Sequence, residues 1–247
     1  MKILEYGDVE NPIVLLVHGM GCAGEHSFEQ TIKRLSQKYK IILPLLDGYD
    51  GEHTTFSTIA DQAKQIYDYF RQRGIKKLYA AIGMSMGGFI CLDLFSKYNL
   101  HTDRLILDSG YMDNMPFPQL VSSAIAWGFS KLQKKKWMPL IRAGMKKMMG
   151  YCFRPDDLYP ASRQTIFNSE LSCATYELPE NLSRIHAGDI VYWYGEKEKY
   201  MIKGMHTLKK YLPQMDSVSR GNVGHGEIMF ESPEQYAENI MDTLETK

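Results

Sequence analysis

Hydrophobic positions along this chain follow two alternating periods. Short runs rich in aliphatic and aromatic residues, Ile13 to Val17, Lys40 to Leu46, Lys77 to Ile82, Arg104 to Asp108 and Asp189 to Tyr194, have the length of strands. Ile13 to Val17 is apolar at every position, as a strand buried on both faces of a parallel sheet requires. Lys2 to Tyr6 is predicted as a short edge strand, and a further short strand begins at Ser217. Between these runs, apolar residues recur three and four apart. Phe28, Ile32, Leu35 and Tyr39 mark one helix over Glu25 to Tyr39. Ile59, Ala63, Ile66, Tyr67 and Phe70 mark a second, which Thr58 and Asp61 start as a capping pair and Gly74 stops. Met201, Met205, Leu208 and Leu212 mark another over Tyr200 to Leu212. Ser232-Pro-Glu-Gln235 starts the last, with a serine cap, proline at the first position and an inward stripe from Tyr236 to Leu244.

Strands alternating with helices over short connections imply parallel pairing and right-handed crossovers. The expected fold is α/β, a three-layer α/β/α sandwich with a mostly parallel sheet. Ligands on such sheets bind beyond the C-terminal strand ends, where Met20, Tyr49, Ser85 and Asp108 are expected. The alternation breaks after Ser109-Gly110 and resumes near Gly188. Helix-like pieces fill the interval: Gln119 to Leu132, Met138 to Met149, Ala161 to Ser169 and Glu177 to Ile185. The predicted organisation is therefore a core of residues 1–110 and 188–247 with a helical insertion over 111–187.

With 44% hydrophobic and 23% charged residues over 247 positions, the chain can bury a sizeable core and belongs to no fibrous or disordered class. The 29 basic and 29 acidic residues cancel, so net charge predicts neither a nucleic-acid nor a membrane partner. The distribution is uneven: Met115 to Arg154 carries eight basic residues and no acidic one. With Trp127, Trp137 and its methionines, that stretch reads either as a surface for anionic membranes or acidic substrates, or as a lid with solvated lysines and apolar faces turned to a pocket; the lid is the simpler reading. Cys22, Cys91, Cys152 and Cys173 have no zinc or C-x-x-C spacing and read as free thiols. Met1 to Asp8 is too polar for a signal peptide and Ile13 to Val17 too short to span a bilayer, so a cytoplasmic location is expected.

The chemistry concentrates at Gly83-Met-Ser-Met-Gly87, where a predicted strand runs through Ser85 into the apolar helix Phe89 to Phe95. A serine at a sharp strand-to-helix corner adopts strained backbone angles and needs small residues two positions away on either side. Gly83 and Gly87 meet that need, Gly88 lets the helix approach the sheet, and the first free amides of the helix, from Met86, face whatever the hydroxyl attacks. Upstream, His18-Gly-Met-Gly21 ends a strand in a glycine-rich turn. Downstream, His225 stands between Gly224 and Gly226, a loop setting.

In these motifs and their order the chain resembles the α/β-hydrolase family. The resemblance implies Ser85 as nucleophile, His225 as base, and the backbone amides of Met20 and Met86 as the oxyanion donors, with His18 bracing its loop. It places the acid after the strand ending at Tyr194, commonly three residues beyond the glycine, which is Glu198. Glu196 is a nearby competitor and Asp108, after the preceding strand, a remoter one. The insertion resembles the family's lid, and Tyr49, Tyr111 and Trp127 are candidate acyl-pocket residues. Asp47, Asp50 and His53 read as loop-ordering residues. The implied activity is hydrolysis of a carboxylic ester or thioester, a small-molecule acyl substrate, through an acyl-enzyme, which calls for no metal or organic cofactor. Relatives using the same triad for C–C hydrolysis, lyase or acyl-transfer chemistry, and a hydrolase-shaped binding protein, are the alternatives.

Overall fold

The computed structural model describes residues 1–22, 24–131, 138–151, 153–154 and 158–246. Strands β1 (Lys2–Tyr6), β2 (Ile13–Val17), β3 (Lys40–Leu45), β4 (Lys77–Met84), β5 (His101–Asp108), β6 (Ala187–Tyr194) and β7 (Asp216–Ser219) form one sheet in the order β1-β3-β2-β4-β5-β6-β7. β1 runs antiparallel to β3, and every other pairing is parallel.

The pleat explains why β2 is apolar throughout. Val14 and Leu16 face a core shared with Phe28, Leu35, Ile240 and Leu244, whereas Leu15 and Val17 face the opposite core with Ala63, Ile66, Phe70 and Phe89. Helices α1 (Gly24–Ser27), α2 (Glu29–Leu35) and, at the C-terminus, α10 (Pro233–Glu245) lie on the first side; α3 (Ile59–Gln72) and α4 (Met86–Lys97) cover the second. The Thr58 hydroxyl accepts from the Asp61 amide at 3.1 Å, so α3 begins at its predicted cap.

Some local expectations are corrected. The predicted helix over Glu25 to Tyr39 divides at Phe28, whose ring is fully buried and whose backbone (φ −104°, ψ 12°) leaves the helical path. Glu177 to Ile185 holds only a 3₁₀ turn at Leu182–Arg184, because Pro179 lacks an amide and disfavours helical geometry at Leu178. The Ser232 side chain makes no cap bond; its amide closes a short helix, α9 (Glu227–Glu231), by donating to Ile228 O.

Between β5 and β6 the chain forms α5 (Pro118–Phe129), α6 (Met138–Met149) and α7 (Arg163–Ala174), and α8 (Lys199–Tyr211) follows β6. α5 packs on α7, which also touches α3 and α4. Arg142, Lys146 and Lys147 are exposed, whereas Lys134, Lys135, Lys136, Trp137 and Cys152 lie outside the described residues. Cys22, Cys91 and Cys173 are buried thiols. Among the described residues no helix is long and apolar enough to cross a membrane.

Candidate active site

Ser85 occupies the corner between β4 and α4 with φ 52° and ψ −122°, a region that side-chain-bearing residues rarely visit. Three backbone contacts hold it there. Its amide donates to Asp108 O at 2.8 Å, tying the corner to the end of β5. A Cβ on Gly87 would stand 2.1 Å from Val17 O, and one on Gly88 2.3 Å from the Gly110 Cα, so only glycine permits α4 to sit this close to the loops after β2 and β5.

His225 reaches the corner from the loop after β7. Its amide donates to Met149 O at 2.8 Å, and the Gly224 amide donates to Glu227 Oε2 at 2.6 Å. A Cβ on Gly224 would collide with the Gly150 carbonyl carbon, at 2.5 Å. The imidazole is 4% exposed, and its Nε2 lies 2.8 Å from Ser85 Oγ. Nδ1 lies 2.6 Å from Glu198 Oε1. A proton on Nδ1, donated to that carboxylate, leaves Nε2 as acceptor for the serine hydroxyl.

Glu198 stands in the turn between β6 and α8 and is 3% exposed. Its second oxygen, Oε2, accepts from Ser109 Oγ at 2.7 Å and from the Gly195 amide at 2.6 Å. The other two acids are directed elsewhere. Glu196 is exposed and accepts from Ser219 Oγ, while Asp108 is buried and accepts from the Tyr236 hydroxyl at 2.8 Å. Burial, and then the charge of Glu198, push the Asp108 carboxyl up to about 6. At His225, burial disfavours the imidazolium. The hydrogen bond and charge of Glu198, with the charges of Asp108 and Glu170, outweigh it and raise the ring above the ordinary imidazole value.

Met20 and Met86 border the same cavity as Ser85 and His225. Met86 opens α4, where the first amides have no partner within the helix. His18 is fully buried, donating from Nδ1 to Gly19 O at 2.8 Å and accepting the Leu46 amide on Nε2 at 3.1 Å; burial pushes it down to about 4 and keeps it neutral. It links the loop after β2 to the end of β3. Asp47 accepts from Gln62 and Gln65, and Asp50 accepts from Thr54.

The cavity encloses about 670 Å³, part of it open to solvent, and is walled mainly by methionines: Met20, Met86, Met112, Met115, Met148, Met149 and Met201, with Phe89, Ile125 and Cys173. The aromatic pocket residues expected from sequence do not line it. Tyr49 is buried behind the loop, bonded to Ser169 Oγ at 3.0 Å and edge-on to His18. Tyr111 packs against Phe89 and Tyr176, and Trp127 lies half-buried on α5 away from the lining. Sequence reading missed Glu170, which borders the cavity from α7, and Ser109, for which a serine directly after a strand gives no distinctive signal. No cluster of three or more His, Cys, Asp or Glu side chains suited to a metal ion occurs among the described residues.

A hydroxyl within reach of an imidazole that a carboxylate orients can lose its proton as it attacks an electrophile. Comparison with known proteins agrees with the fold that builds this arrangement. A family model described as alpha/beta hydrolase fold matches residues 12–136. The magnesium-chelatase 30 kDa subunit of Rhodobacter capsulatus is 32% identical over 95 residues, which cover 37% of this chain and 33% of that protein, so the match spans about a third of the curated relative's length. Among solved structures, an alpha/beta hydrolase family protein from Desulfitobacterium hafniense superposes with a TM-score of 0.87 at 21% identity, covering 98% of this chain and 100% of that one. A malate-bound thermophilic esterase from Thermogutta terrifontis gives 0.75 at 18% identity, covering 98% and 92%. An esterase from Exiguobacterium antarcticum gives 0.77 at 16% identity, covering 99% and 95%. Identities this low speak for the fold alone, but with the match over residues 12–136 the chain belongs to the alpha/beta hydrolase fold family.

Proposed function

We propose that this protein is a serine hydrolase that cleaves a carboxylic ester or thioester through an acyl-enzyme, with Ser85 as nucleophile, His225 as base and Glu198 as the acid that orients it. The carrying observation is the continuous relay from Ser85 Oγ to His225 Nε2 at 2.8 Å and from Nδ1 to Glu198 Oε1 at 2.6 Å. Esterases among the structural neighbours support the same class.

As Ser85 attacks the acyl carbon, its proton passes to His225 Nε2, and the Glu198 carboxylate steadies the imidazolium. The carbonyl oxygen becomes an oxyanion, for which the amides of Met20 and Met86 are the donors; each such donor is worth about a hundredfold to a thousandfold in rate. Collapse of the tetrahedral intermediate expels the alcohol or thiol, which takes the proton from Nε2. Water then attacks the acyl-enzyme with His225 again as base, and releases the acid and free Ser85. In this reading α5, α6 and α7 form a lid that, through Ile125, Met148, Met149 and Cys173 and with the methionines of the core, holds the acyl chain and excludes water from the intermediate.

The test is reaction of the intact protein with a fluorophosphonate, located by peptide mass, alongside turnover of p-nitrophenyl esters and acyl thioesters. Label on the Ser85 peptide and loss of both label and turnover in a folded Ser85→Ala variant are expected. Turnover retained by that variant would refute the reading.

A further inference from the structure

Inside the cavity one acid takes no part in the relay. Glu170 projects from α7, is 7% exposed, and its carboxyl has no hydrogen bond or ion pair among the described residues. It shares the cavity wall with Met112, Met115, Ile125, Met201 and Cys173, and its oxygens open onto the cavity space, at a position where a Leu or Met would complete an apolar wall. Burial pushes the carboxyl up to about 7, with the charge of His225 pulling the other way.

The charges around it define what it can receive. Among the described residues, the ionisable groups bordering the cavity include Glu170, Glu198 and His225, and neither lysine nor arginine lines it. Glu198 is already matched by His225, Ser109 and Gly195. Glu170 is therefore an unmatched acceptor in a chamber whose described lining is mainly apolar and carries an excess of acid. An entering cation supplies donors, neutralises the excess and stabilises the ionised carboxylate; an anion is repelled, and a neutral hydroxyl satisfies the carboxyl without its charge. Unbranched thioether side chains give an alkyl chain an adaptable wall beside it.

We propose that Glu170 determines specificity by receiving a protonated primary amine carried on an otherwise apolar substrate, which lies along the methionine wall with its acyl carbon at Ser85. The inference rests on the hydrolase reading of the cavity, since that reading makes the ligand a substrate.

Calorimetric titration of the full chain with hexylammonium, 1-hexanol and hexanoate tests it. Hexylammonium is expected to bind roughly tenfold to a hundredfold more tightly than 1-hexanol, the worth of a charge-assisted hydrogen bond in a buried site, with hexanoate weakest. Glu170→Gln keeps the shape, removes the charge, and brings hexylammonium to parity with 1-hexanol. Equal binding of the two by the unaltered chain would overturn the proposal whether or not the variant folds. The preference is also expected in Ser85→Ala, which cannot form an acyl-enzyme. Fluorophosphonate labelling with no ammonium preference therefore sinks only the role of Glu170, whereas the preference without labelling sinks only the hydrolase reading.

Discussion

Ser109 and Glu198 approach one another from the ends of adjacent strands, and the Ser109 hydroxyl donates to Glu198 Oε2 at 2.7 Å. With the Gly195 amide on the same oxygen at 2.6 Å, this leaves Oε1 to face His225. Ser109 holds φ 49°, a left-handed conformation uncommon outside glycine, so the turn after β5 is shaped to deliver its hydroxyl.

Ser109→Ala removes that donor and is expected to lower kcat on a p-nitrophenyl ester about tenfold, as the loss of a hydrogen bond to a charged group would, with KM little changed. Ser109→Gly removes the same donor but relaxes the backbone, so it should be more stable than the alanine variant and no faster. Steady-state kinetics with thermal unfolding of both variants separates the two effects. An alanine variant at full kcat would show that Gly195 alone orients the carboxylate.

The three candidate acids separate by substitution. Glu198→Gln disturbs the tautomer that presents Nε2 to Ser85 and is expected to cut kcat by about 10³ to 10⁴. Asp108→Asn keeps an acceptor for Tyr236, and Glu196→Gln alters an exposed contact, so both should stay near the unaltered kcat. A large loss in either, with Glu198→Gln active, would move the acid.

In the proposed mechanism His225 serves as base only when neutral, so activity is expected to fall as pH drops through its pKa. Because that value is raised, the acidic limb of kcat/KM is expected above the ordinary imidazole value. Asp108 is one of the charges that raise it, so Asp108→Asn should shift the limb to lower pH while leaving the plateau in place. A limb that stays fixed in this variant would mean that Asp108 is uncharged in the pH range of the assay.

The elbow and the histidine loop were legible in sequence because each depends on glycines at fixed spacing: Gly83 and Gly87 around Ser85, Gly224 and Gly226 around His225. The strands showed as apolar runs because burial on both faces leaves little choice of residue, as Val14 to Val17 illustrate. The acid was harder. Spacing placed Glu196, Glu198 and Asp108 at strand ends, but only backbone geometry determines which carboxylate turns inward. The cavity wall was legible only in part: the methionines of the basic stretch were expected on faces turned to a pocket, and Met148 and Met149 do border it, whereas Met201 on the stripe of α8 read as ordinary packing and an aromatic ring such as Tyr49 suits a core as well as a pocket. Glu170 looked like one more polar position on a helix, since nothing in sequence shows a carboxyl turned into a cavity without a partner.

The glycines of the elbow give a stability prediction. Gly87→Ala and Gly88→Ala drive a methyl into backbone atoms of Val17 and Gly110, so each is expected to destabilise the fold by about 1–3 kcal/mol or more and to slow fluorophosphonate labelling as Ser85 shifts. Gly128, near the end of α5, has no atom of the described residues within 4 Å of where a methyl would stand, and no positive φ. Gly128→Ala should therefore stabilise by about 0.5–1 kcal/mol. Thermal unfolding of the three variants checks both signs, and a tolerated Gly87→Ala would mean that β2 and α4 can separate at no cost.

His18 makes the fold acid-sensitive in a way that can be isolated. Its pKa is about 4 in the folded chain, below the value of about 6.5 for an unfolded histidine, so the unfolded chain binds the proton more readily between these values. The stability it contributes is complete above the unfolded pKa and is lost as pH falls toward the folded one. Asp108 and Glu170 act in the opposite sense, since an acid with a raised folded pKa gains stability on acidification. Total stability against pH therefore mixes the two, and a difference is the cleaner readout. His18→Gln keeps an acceptor for the Leu46 amide but cannot titrate. It should be less stable than the unaltered chain at pH 7, with the gap narrowing by about 2 kcal/mol at pH 5. Urea unfolding of both proteins at the two pH values measures the gap, and a gap that does not narrow would show that His18 binds its proton as readily in the folded chain as in the unfolded one.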